Sequence, residues 1–232
     1  MELKRKEKEL GSFIGRLLRE HYGKGPGSVF ATISHPYIAV YIRDFMSPIE
    51  NKLLSTEQGK HVQKIRDMMM PTITEEIKTY IKLNIDMEIS DFYYDWNLDS
   101  HSGMLLGIAA DLNEKNGSEY PGQAGVDHEI YELSREAEKA PRSIFSQLLN
   151  SRTLVITRDK ILIAVEKELI HLGFHEALRL SKRNLEKRLL QKHKDQIETC
   201  LHAEVENSFV AWNFEKDKSV ILLILKPNTD WQ

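Results

Sequence analysis

The chain repeats itself. Pro26, Ser28 and Phe30 recur as Pro141, Ser143 and Phe145 at a shift of 115, and Leu18 and Lys24 recur as Leu133 and Lys139. At the same shift Val40, Arg43 and Asp44 match Val155, Arg158 and Asp159. One residue is then inserted in the second copy, and the shift becomes 116. Glu50, Leu53, Ile81, Glu88, Trp96, Asn97, Leu106 and Ile108 match Glu166, Leu169, Ile197, Glu204, Trp212, Asn213, Leu222 and Ile224. The shift is half of the 232 residues, so the chain reads as two domains of equal size.

The order of elements repeats with the residues. Residues 3–22 place Leu3, Leu10, Phe13, Ile14, Leu17 and Leu18 on one side of a helix. Gly23-Lys24-Gly25-Pro26-Gly27 ends it, since Gly suits a helix C-cap and Pro cannot continue the helix. Residues 29–34 and 37–44 are β-branched and aromatic runs around His35-Pro36, the pattern of a hairpin. Helices are expected over 48–54 and 58–83, and a second hairpin over 87–98 and 104–109. Copy two predicts a helix over 126–139, strands at 143–149 and 153–158, helices at 162–172 and 175–201, and strands at 205–214 and 219–225. Residues 111–125 are polar, rich in Gly and Pro and without periodicity, which marks a linker. The expectation is an α+β chain of two tandem α-β-β-α-α-β-β repeats, residues 1–110 and 126–232. Each would be a four-stranded, mainly antiparallel sheet with helices on one face.

Composition narrows the class. Hydrophobic residues make up 41% and charged residues 29%, enough to bury a core. No stretch has the roughly 18 apolar residues of a membrane span, and the N-terminal run of mixed charge has no secretory h-region. Cys200 is the single cysteine, which excludes an internal disulfide and a cysteine-based zinc site. A net charge of −3 gives no global basic footprint, so no nucleic-acid partner is expected.

The chemistry-bearing residues form no familiar catalytic set. The glycine turn Gly23–Gly27 runs from helix to strand, the reverse of a phosphate loop, and Pro26 has no N–H to offer. Ser47-Pro48-Ile49-Glu50 is a capping box, with Ser47 as N-cap and Glu50 at the third helical position. Trp96 and Trp212 share a place on the third strand of each copy and read as core. The stretch 176–194 is locally basic through Arg179, Lys182, Arg183, Lys187 and Arg188, over an apolar seam of Leu178, Leu185 and Leu189. Such a helix can lie on a membrane surface or an acidic partner, or can turn its seam to a sheet with its charges solvated. No catalytic residue, metal site or cofactor is expected. Candidate ligand or partner residues are Gly23, Gly25, Pro26, Arg43, Glu50, Arg66 and Trp96, with Arg158 and Trp212 as a matching half.

Gly23-Lys24-Gly25-Pro26, the apolar run Ile38-Ala39-Val40-Tyr41-Ile42, and Phe45-Met46-Ser47-Pro48-Ile49-Glu50, with Gly59 and Arg66 following, resemble the MpsC-like (YbcI-like) family. The resemblance covers about residues 5–110. Copy two keeps the order of elements but lacks the glycines and the Ser-Pro cap, as a diverged second copy would. Some members are named for a bacterial sodium-translocating, membrane-potential-generating system. The resemblance implies a cytoplasmic accessory or regulatory protein without catalytic residues, working through a protein partner at the inner face of the membrane. It would be an internal pseudo-dimer, open to further pairing as a homodimer. The alternative is a small-molecule or anion sensor with its ligand between the two copies.

Overall fold

The structure, a computed structural model, describes residues 1–110 and 119–226. The chain divides into two compact units, Met1–Asn113 and Glu114–Gln232. Unit 1 comprises α1 (Glu2–Tyr22), β1 (Ser28–Ser34), β2 (Tyr37–Arg43), α2 (Pro48–Leu54), α3 (Gly59–Ile85), β3 (Ile89–Asn97) and β4 (Ser102–Ala109). Unit 2 comprises α4 (Gln123–Ala137), β5 (Ser143–Asn150), β6 (Thr153–Asp159), α5 (Ala164–His171), α6 (His175–Lys192), α7 (Lys194–Leu201), β7 (Val205–Asn213) and β8 (Lys218–Leu225). Residues 111–118 of the expected linker lie outside the described residues, and 123–125 open α4.

Each unit holds a four-stranded antiparallel sheet, in the orders β1-β2-β4-β3 and β5-β6-β8-β7. Alternate residues of β2, Ile38, Val40 and Ile42, meet Leu10, Ile14 and Leu17 of α1 and Met70, Ile73 and Ile77 of α3 in one core. Period two on the strand and period three to four on the helices bring these faces together. In unit 2 Leu154 and Ile156 meet Val126, Ile130 and Leu133 of α4 and Leu178, Leu189 and Leu190 of α6 in the same way. Among the described residues no helix is long and apolar enough to cross a membrane.

Two expectations need correction. The single helix over 175–201 is two, broken at His193, which adopts φ −88° and ψ 3°. Its Nδ1 lies 3.0 Å from Glu129 and its Nε2 3.2 Å from Glu136, so two carboxylates of α4 hold the ring where the backbone leaves the helix. The second correction concerns register. In copy one Ser34 faces Tyr37 across a two-residue turn; in copy two a bulge between Leu148 and Asn150 precedes the Asn150–Thr153 pair. Leu149 is therefore the inserted residue, and the shift is already 116 along β6. Ile42 faces Gly103 on β4, and Arg158 faces Ser219 on β8. Arg158 thus stands in the place of Ile42, and the matches of Val40, Arg43 and Asp44 with Val155, Arg158 and Asp159 are one residue out. The backbone agrees with the corrected register. Non-glycine residues in the left-handed region recur at 116, as Asp44 and Lys160, Asp86 and His202, and His101 and Asp217.

Candidate functional site

The helix cap after β2 starts the first cluster. Ser47 is the N-cap of α2, its hydroxyl accepting from the Glu50 N–H at 3.3 Å, while the Glu50 carboxylate accepts from the Ser47 N–H at 2.8 Å. The same carboxylate receives Arg66 from α3, through Nε at 2.7 Å and Nη2 at 3.1 Å. Nη2 also donates to the Phe45 carbonyl at 2.9 Å. The guanidinium carbon sits 4.8 Å from the Phe45 ring centroid and 4.6 Å from that of Trp96. Arg66 is fully buried and Glu50 nearly so. Burial pushes the Glu50 carboxyl up, but the hydrogen bonds and charge of Arg66 and the Ser47 contacts outweigh it and hold the group below its usual range. Gly103 is the partner that this packing requires, since a Cβ there would stand 2.3 Å from two Trp96 ring atoms.

Unit 2 keeps the frame and changes the charges. At a shift of 116 the glutamate is Glu166, the cation Lys182 and the indole Trp212. Ile163 has no side-chain acceptor, so only the carboxylate half of the cap remains, Glu166 accepting from the Ile163 N–H at 3.0 Å. Lys182 donates to Glu166 at 2.8 Å and to Glu138, with its ammonium 5.8 Å from the Trp212 ring. Burial pushes the Glu138 carboxyl up to about 7; Lys182 opposes the rise and the Glu166 charge adds to it. One ammonium shared by the buried Glu166 and the half-buried Glu138 leaves an excess negative charge, which a proton relieves.

A second buried set stands where unit 1 is apolar. Arg158 donates to Ser219 at 2.8 Å, to Ser134 at 2.9 Å and to Glu186. Glu186 in turn accepts from the Trp212 indole at 3.2 Å. At these places unit 1 has Ile42, Gly103 and Met70.

The structure thus joins Glu50, Arg66 and Trp96 in one cluster, and in unit 2 sets Arg158 and Trp212 on Glu186 and Lys182 on Glu166 and Glu138. Arg43 is exposed at the end of β2. Lys182 and Arg183 are each only 2% exposed, so the basic face expected on α6 shrinks to Arg188 with the half-buried Arg179 and Lys187. The sequence reading missed Glu138, Glu186, Ser134 and Ser219. A signal for one of them was present, because Glu186 continues, through Lys182, the spacing of four from Leu178 that marks the buried seam. Gly23 is the left-handed C-cap of α1, and Gly25 gives room to Arg19, whose Nε would lie 2.9 Å from a Cβ there.

A model of the family described as Na+-translocating membrane potential-generating system (MpsC) matches residues 2–110 and, a second time, residues 127–227. No curated protein and no solved structure matches the chain.

Proposed function

The chain belongs to the MpsC family, in two tandem copies, and from this premise we propose that it is a non-catalytic accessory or regulatory protein of a bacterial membrane-potential-generating system, acting through a protein partner. One observation carries the reading. The buried ionisable residues that both units keep at matching places, Glu50 with Arg66 and Glu166 with Lys182, are spent on each other inside each unit. A buried, paired and hydrogen-bonded charge shapes the fold and offers no group to a substrate. The outer surface is left to do the work, as an interaction module requires. The protein works in the cytoplasm, at the inner face of the membrane beside the ion-translocating subunits that the family name implies.

The test combines a partner and a physiological readout. Cells lacking the protein should hold a sodium-dependent membrane potential measurably different from the parent with a voltage-sensitive dye, restored by the intact gene. The tagged chain should recover membrane subunits of that system from native membranes. An unchanged potential together with no membrane subunit recovered would sink the proposal.

A further inference from the structure

We infer that unit 1 carries a binding site for a phosphate-bearing anion in the groove between α1 and the edge strand β1. The groove encloses about 460 Å³. Its helical wall presents Lys8, Ser12, Arg16 and Arg19, at spacings of four, four and three that align them on one face of α1. The strand wall presents Ser28 and Val29. The Ile33 N–H points out of the sheet edge to Glu7 of α1, at 2.9 Å. Four residues back along the strand, Val29 turns its N–H to the same side. The site therefore offers two guanidinium forks, an ammonium, two hydroxyls and a backbone N–H. This donor set suits phosphate oxygens, which guanidinium binds bidentately.

Three features show that the groove is formed by the fold. Gly11 and Gly15 let α1 lie against β1, for a Cβ at Gly11 would stand 3.0 Å from the Val29 carbonyl oxygen. Among the described residues, Lys8, Arg16 and Arg19 form no ion pair, although three like charges on one helix face repel one another. Unit 2 has lost the set. At a shift of 115 the three positions hold Gln123, Tyr131 and Ser134. At 116 they hold Ala124, Glu132 and Arg135, the last two joined at 2.6 Å. In either register the second copy keeps no uncompensated cationic cluster. Asp44, beside Gly27 at the groove's end, is the acidic group that limits how far an anion extends.

The shared chemistry is an anionic phosphate group, carried by a free phosphorylated compound or by a lipid headgroup. Calorimetric titration of the full chain with inorganic pyrophosphate tests the first source. Co-sedimentation with phosphatidylglycerol vesicles against phosphatidylcholine vesicles tests the second. Binding in either arm should weaken about tenfold or more in Arg16→Gln/Arg19→Gln and fall with added salt. It should stay unchanged in Lys52→Gln/Lys60→Gln, which removes the same charge from exposed positions elsewhere. Arg16 and Arg19 are exposed, so the variant keeps the fold, as an unchanged thermal transition would verify. Binding in neither arm, or equal loss in both double variants, or no loss in the first, overturns the inference. These outcomes are independent of whether a membrane subunit is recovered with the protein.

Discussion

Arg66 shows what a single residue does in this fold. It joins α3 to the cap of α2 and to the aromatic pair beneath, and its charge is tolerated because Glu50, the Phe45 carbonyl and two ring faces surround it. Removing one partner leaves the other charge buried. Arg66→Ala is therefore expected to destabilise the protein by about 3–5 kcal/mol in urea unfolding. Replacing both charges, as Glu50→Gln/Arg66→Met, should cost clearly less than Arg66→Ala. A double variant as unstable as the sum of its singles would show that the pair is not coupled.

At the scale of elements, the β5–β6 hairpin accommodates one residue that β1–β2 lacks. A bulge absorbs it beside the turn, so the pleat of both strands beyond it is undisturbed. Deletion of Leu149 should remove the bulge, restore the unbroken pairing of copy one and change the unfolding midpoint little. Deletion of Ile156, inside β6, should reverse the inward and outward faces beyond it and abolish folding. Circular dichroism and urea melts separate the two, and equal damage would refute the register. The strands, the caps and the order of elements were legible in the sequence because each depends on local periodicity and turn chemistry. Ser47 and Glu50 announce their bonds within four residues. The place of the insertion was not legible, because Val40, Arg43 and Asp44 find chance matches one residue away, and only pairing across the sheet decides between registers. Nor was the Arg158 set, whose members Ser134, Glu186 and Ser219 lie on three other elements. Lys182 and Arg183 looked like surface charge because the glutamates that take up Lys182 come from the C-cap of α4 and from α5.

For the molecule as a whole, Glu50 of the first cluster and Glu138 of the second answer acid in opposite ways. Glu50 is held below its ordinary value of 4.5, so its contribution is present above that value and is lost as pH falls through the depressed one. Glu138 is raised to about 7, so its contribution is complete below 4.5 and is lost as pH rises through 7. Between these limits the folded state binds a proton that the unfolded chain releases. Plotted against pH, the unfolding midpoint of Glu138→Gln should gain on the wild type from about pH 5 to pH 7. Parallel curves would contradict the assignment. The exchange of Ile42, Met70 and Gly103 for Arg158, Glu186 and Ser219 reaches further, into ancestry. Arginine or glutamate introduced alone is a lone buried charge, which removes a large share of a domain's stability. Serine introduced alone at Gly103 meets the Trp96 ring. No single replacement leads from one solution to the other. Gene conversion between the two halves, copying a short tract of one into the other, would deliver part of a set and yield a destabilised chain. The duplicated segments are thereby shielded from homogenisation, and the second half is free to diverge toward a surface of its own.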